Sequence, residues 1–145
     1  MLKCNNFGED KSNNNLKSYT INAIIYMSKG LISAESNSTS DPFVKLTLDG
    51  KEKCTSIKNN TMNGVWNEKL EFNKILMDIN DYSTWPIFLL NVFDHNQVLS
   101  NVPLGYNYLW LCSAGYALNG TKLCKHKWHN LFLPKSNKQQ GQILL

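Results

Sequence analysis

The sequence predicts an all-β domain, an eight-stranded antiparallel Greek-key β-sandwich. From Tyr19 onward, short runs of β-branched and aromatic residues alternate with turn signals at the interval that sandwiches show. No stretch has the period of an amphipathic helix. A chain of 145 residues with 42% hydrophobic content buries one ordinary core, so one domain is expected.

Residues 1–18 are polar, rich in Asn, Lys and Ser, and without periodicity, so they bury too little surface to offset ordering entropy and read as a disordered lead. The domain is expected over 19–145. Its strands are predicted at Tyr19 to Met27, Pro42 to Leu48, Lys51 to Ile57, Glu68 to Lys74, Pro86 to Phe93, Leu104 to Leu111, Lys127 to Leu133 and Gln140 to Leu145. Asp41, a short acidic side chain before Pro42, suits the turn that opens the second strand. Asp49-Gly50 marks the hairpin that follows. A two-residue loop there would set Leu48 against Lys51 and Leu46 against Lys53, putting lysines on the leucine face, a poor register. A three-residue loop, Leu48 to Gly50, pairs Lys45 with Lys53 and Thr47 with Lys51, and turns Val44, Leu46 and Cys54 to the core. That register is the one expected, and it gathers Lys45, Lys51 and Lys53 on one outer face. Trp66 is expected to pack in the core. So is Trp128, with His126 and His129 turned to solvent.

The net charge of +4 comes from lysine alone, since the chain holds no arginine. Anions must be met by flexible point charges rather than planar two-pronged groups, which argues against sequence-specific DNA binding. KHKWH, Lys125 to His129, is too little to suggest single-stranded nucleic acid, and no nucleic-acid partner is expected. Cys4, Cys54, Cys112 and Cys124 lack CxxC spacing and disulfide-scaffold density, so reduced thiols are expected. The N-terminus has no apolar signal region, and no stretch approaches a membrane span. A cytosolic setting, peripheral on the cytosolic membrane face, is expected. The glycosylation sequons at Asn37, Asn59 and Asn119 then carry no weight. Leu2 excludes N-myristoylation, and QILL holds no prenylation cysteine, which leaves Cys4 as a palmitoylation candidate. Cys112, Cys124, His126 and His129 match no structural zinc spacing. Asp94 and His95 are adjacent and point apart, and no catalytic motif is present, so no enzyme is expected.

Three segments carry a resemblance. SDPFVKL (Ser40 to Leu46), NTMNGVWNEKLEF (Asn60 to Phe72) and VFDHN (Val92 to Asn96) stand in the order and spacing of a C2 domain, and the chain resembles that family from about Tyr19 to its end. The resemblance implies an antiparallel sandwich with three loops at one end, where acidic side chains of the first and third loops bind calcium and membrane lipid. Of the family's two circularly permuted topologies it points to the second, with GQILL as the permuted strand.

The five acidic positions of calcium-dependent members fall on Glu35 and Asp41 in the first loop and on Asp94, Asn96 and Val102 in the third. Calcium takes six to eight oxygen ligands and is held more tightly as carboxylates converge. Three carboxylates, one amide and one aliphatic side chain imply a degraded site, with Glu35, Asp41, Asp94 and Asn96 holding at most one weak calcium ion and no other cofactor. Apolar side chains stand in its stead. Val98, Leu99 and Val102 on the third loop, with Leu31 and Ile32 on the first, either enter a bilayer or pack beneath the loops. The lysine face resembles the basic cluster of phosphoinositide-binding members: Lys45 and Lys53 fall on cluster positions, Thr47 and Thr55 on positions often lysine there, and Asn101 on a lipid-contacting asparagine.

The expected function is a peripheral, largely calcium-independent membrane module. It would dock on acidic phospholipids or phosphoinositides through Lys45, Lys51, Lys53, Leu31, Ile32, Val98, Leu99 and Asn101, in trafficking or secretion. Two alternatives stand beside it: a protein-interaction or scaffolding domain, whose sign would be an exposed apolar patch on the sheet face away from the loops, and calcium-triggered lipid binding.

Overall fold

The computed structural model describes residues 15–33, 39–111, 126–134, 136 and 138–145. Among them are eight antiparallel strands: β1 (Lys17–Lys29), β2 (Pro42–Leu48), β3 (Lys51–Cys54), β4 (Val65–Met77), β5 (Ile87–Asp94), β6 (Val102–Trp110), β7 (Trp128–Phe132) and β8 (Gln139–Leu144). They hydrogen-bond in the order β3-β2-β5-β6-β7-β8-β1-β4. The sheet folds back on itself at β6 and β7, which share a single register pair, Tyr106 with Phe132. There Gly105 lets the strands close up, since a Cβ at that position would lie 2.8 Å from Leu131 Cβ. Folding back brings Phe72 of β4 edge-on to Phe88 of β5, with centroids 5.3 Å apart. Ile25, Val44, Leu46, Leu48, Phe72, Ile75, Leu90, Val92, Leu131 and Ile143 are fully buried between the two layers.

β2 matches its expected bounds residue for residue, because Pro42, Val44, Leu46 and Leu48 alternate with Phe43, Lys45 and Thr47 and only the first set is buried. β1 starts at Lys17, inside the segment expected to be disordered, because Lys17 and Ser18 pair with Met77 and Leu76. β4 runs past both expected ends. It does so through two bulges, where Asn67 and Lys74 take left-handed φ of 53° and 58° opposite shifts in the β1 register. β3 is shorter than expected. Past Cys54, the Thr55 hydroxyl accepts the Val44 N–H at 2.9 Å in place of a backbone carbonyl, and the ladder ends.

The hairpin register differs from the one expected. Leu48 faces Lys51, Leu46 faces Lys53, Thr47 faces Glu52 and Lys45 faces Cys54. Asp49 and Gly50 both adopt left-handed φ, 50° and 71°, as a two-residue primed turn requires. Burial does not oppose this pairing, because β3 is an edge strand exposed along its whole length and its lysines stand in water although they lie on the leucine side. Lys45 therefore points to the opposite face from Lys51 and Lys53, and it is tied diagonally to Glu52 at 3.2 Å. The common face of three lysines does not form.

β7 also reverses an expectation. His129 pairs with buried Ile143 and points inward, while Trp128 pairs with Leu144 on the outer face, where the Lys29 ammonium lies 4.1 Å from its ring centroid. A cation above the ring lets the large indole stay on the surface, and on a strand one residue's parity sets every side chain's face. His126 is exposed, edge-on to Tyr26. Burial lowers the His129 pKa, with a smaller contribution from Lys127. The folded protein thus disfavours the proton that the unfolded chain accepts, so this group's stabilisation is complete above the ordinary value of about 6.5 and is lost as pH falls through the depressed one. The urea midpoint is expected to drop between about pH 7.5 and 5.5, with a shallower drop in His129→Gln. Parallel slopes in the two proteins would exclude His129 as the group responsible.

Candidate functional site

Three loops meet at one end: residues 30–33 and 39–41 between β1 and β2, 55–64 between β3 and β4, and 95–101 between β5 and β6. Asp41 joins them. Its N–H donates to Asp94 Oδ1 at 2.6 Å, its carbonyl accepts the His95 N–H at 3.0 Å, and its Oδ1 accepts the Asn60 N–H at 2.7 Å. Around it the Ser40 carbonyl accepts from Thr61 N–H, and Asn63 Oδ1 accepts from Gly30 N–H. Asn60, in left-handed backbone with φ 53°, turns the second loop back towards the first.

The third loop is closed from within. Asn101 Oδ1 accepts the Asn96 N–H at 3.0 Å, and Asn96 Oδ1 accepts the N–H groups of Val98 and Leu99 at 3.0 and 2.9 Å. With their backbone held, Val98 and Leu99 project outward, 89% and 74% exposed. Ile32 is 44% exposed. Met62 of the second loop, 41% exposed, joins the same end, its carbonyl accepting the Leu31 N–H. Met62 was not among the expected lipid-contacting residues, although it stands in the sequence as a large apolar residue between Thr61 and Asn63. Leu31 is a correction: only 2% exposed, it belongs to the core, drawn under the second loop by its bond to Met62 after Gly30 turns the chain at φ 63°. Val102 opens β6 opposite Asp94 and is partly exposed.

The structure brings Asp41 and Asp94 together at the expected end, and Asn96 lies on the adjoining loop, with one side-chain oxygen of each engaged. Asn96 gives its one carbonyl oxygen to two backbone donors, and each aspartate gives one carboxylate oxygen to a loop N–H. Among the described residues no three of His, Cys, Asp and Glu stand together as metal ligands. Glu35 lies outside the described residues, as do Cys4, Cys112 and Cys124. What these groups do here is brace the loops. Asp41→Ala is expected to cost about 0.5–1.5 kcal/mol, since it removes the carboxylate that accepts the exposed Asn60 N–H and leaves the Asp41 N–H bond to Asp94 in place, and chemical denaturation would measure the loss. An unchanged midpoint would show that solvent replaces the bond.

Of the lysines assigned to lipid contact, Lys45 lies on the outer face beside Phe93, its ammonium 5.6 Å from the ring centroid, whereas Lys51 and Lys53 lie on the other side of the hairpin. The outer face of β5 and β6 holds Ile87, Tyr108 and Trp110, with Trp110 opposite Ile87 and both aromatic rings more than half exposed.

A family model described as C2 domain matches residues 19–131. Among curated proteins, Fer-1-like protein 4 of Mus musculus is 28% identical over 90 residues, 60% of this chain and 4% of its own length. Myoferlin of Xenopus tropicalis is 27% identical over 132 residues, 88% of this chain and 7% of its own. The chain thus spans a small fraction of either relative. Among solved structures, a C2 domain of plant Extended Synaptotagmin 1 superimposes with a TM-score of 0.63 at 25% identity, covering 86% of this chain and 88% of that one. A C2 domain of RIM from Drosophila gives 0.57 at 12% identity, covering 90% and 94%.

Proposed function

The chain belongs to the C2 domain family, and on that premise we propose that it is a non-enzymatic module that docks peripherally on anionic membranes, in trafficking or secretion, by inserting the tips of its loops without a calcium trigger. The observation that carries this reading is the third loop, in which Asn96 and Asn101 hold Val98 and Leu99 out into solvent. Ordering those tips in advance lowers the entropic cost of inserting them. Burying an apolar side chain of this size is worth about 1.5–3 kcal/mol, with the lower figure apt for an interface. Lysine supplies the attraction, at about 1 kcal/mol for each group near an anionic surface. What supports calcium independence is that Asn96 Oδ1 and one carboxylate oxygen each of Asp41 and Asp94 already accept backbone N–H groups. A phosphoinositide preference is the finer proposal. Of the hairpin lysines only Lys45 serves the outer face, so general anionic attraction is the stronger form.

Co-sedimentation with phosphatidylserine vesicles, with phosphoinositide vesicles and with neutral vesicles, each with calcium and with chelator, tests the reading. Binding to both anionic compositions that survives the chelator is expected, and absence of binding throughout would sink the proposal. Binding that appears only with calcium would transfer the site to the acidic groups. A second reading, a protein-interaction domain, is favoured by the exposed Ile87, Tyr108 and Trp110 patch away from the loops. It predicts a protein that ignores every vesicle.

A further inference from the structure

A fourth connection lies at the loop end. β8 begins beside the point where β1 leaves the sheet: Lys29 pairs with Gln142, and a Cβ on Gly141 would lie 2.8 Å from the Gly30 carbonyl oxygen. The hairpin joining β7 to β8 therefore stands next to the first loop. The Leu133 N–H closes it by donating to the Lys138 carbonyl at 3.1 Å, and Lys138 is exposed. On the outer face of the same layer, Gln142 donates to Asn130 Oδ1 at 2.7 Å, and Lys29 reaches across to hold its ammonium 4.1 Å from the Trp128 ring centroid. Charge separates the two sides of the loop end. On the hairpin of β2 and β3, Lys45 is tied to Glu52, and in the second loop Lys58 lies 3.9 Å from Glu68. Lys29 and Lys138 form no ion pair among the described residues. An aromatic ring beneath an ammonium group leaves its charge in place.

We propose that the domain docks leaning on the layer of β1, β8 and β7, with Lys29, Trp128 and the Lys138 hairpin laid into the phosphate headgroups of an anionic bilayer. The lean presupposes the loop-insertion reading above and fixes which side of the inserted domain meets lipid. Lys29 stands at the root of the first loop, three residues before exposed Ile32. Trp128 sits two positions along β8 from the Lys29 row, about 7 Å down the layer. The headgroup zone of each leaflet is about 5–8 Å deep, so a modest tilt brings the ring into it. An indole, apolar in its body and polar at its N–H, settles in that zone. Lysine stems lie along the apolar surface while their heads stay with phosphate. A domain standing upright on its loop tips would leave Trp128 in water.

Tryptophan quenching on phosphatidylserine vesicles that carry a nitroxide-labelled headgroup reads the lean. Trp66 and Trp85 are buried, and Trp110 closes β6 at the end away from the loops. Quenching of the bound protein is expected to fall in Trp128→Phe and not in Trp110→Phe. Lys29→Gln with Lys138→Gln should weaken co-sedimentation roughly thirtyfold. Lys17→Gln with Lys74→Asn removes the same charge towards the far ends of β1 and β4, where screening isolates it from the bilayer, and should weaken binding less than about threefold. Asparagine is chosen at position 74 because it tolerates the left-handed backbone there. Bound protein quenched equally in native and Trp128→Phe forms would overturn the lean. So would quenching that falls in Trp110→Phe, or equal losses of binding in the two lysine pairs. Native protein that stays off the vesicles altogether would remove the loop-insertion reading, and the lean with it.

Discussion

Val98→Asp combined with Leu99→Asp is expected to lower binding to phosphatidylserine vesicles by roughly two orders of magnitude. Each native side chain is worth about 1.5 kcal/mol at an interface, and about 1.4 kcal/mol is a factor of ten in affinity. Two added carboxylates facing anionic headgroups deepen the loss. The fold should not register the change, because both side chains stand in water and substitutions at such sites shift stability by about 0.5 kcal/mol or less. The pair therefore separates docking from folding, read as vesicle co-sedimentation beside a denaturation curve. Vesicle binding retained at the native level would move the contact away from the third loop.

The largest effect on stability is expected at Phe72. It is fully buried on β4 and meets Phe88 of β5 edge to face, so it links the two layers that the folded sheet brings together. Phe72→Ala is expected to cost about 3–5 kcal/mol in lost burial and residual cavity, a large part of the roughly 5–15 kcal/mol typical of a domain. With a urea dependence of about 2 kcal/mol per molar, the midpoint falls by about 2 M. A shift below about 0.5 M would mean that the neighbours collapse into the space, and Phe72→Leu should fall between the two proteins.

The layers and most strand positions were legible because alternation is a strong signal wherever one face is buried. β2 shows it residue by residue. The hairpin register was not legible, because burial selects a register only where a core lies behind the strand, and β3, an exposed edge, has none; the two left-handed residues of the turn decide the pairing instead. Trp128 failed for a related reason, since its size suggested the interior while Lys29 covers it from outside. At the loops the sequence placed Asp41, Asp94 and Asn96 at one end, but their engagement as acceptors for backbone N–H groups depends on loop paths that no residue pattern encodes.

The narrow join between β6 and β7 sets where the molecule gives way first. With one paired position flanking Gly105, the amides beside that join should be the earliest among the strands to take up deuterium. Those of β1 and β4, zipped along nearly their full length, should hold their protons until the whole domain opens.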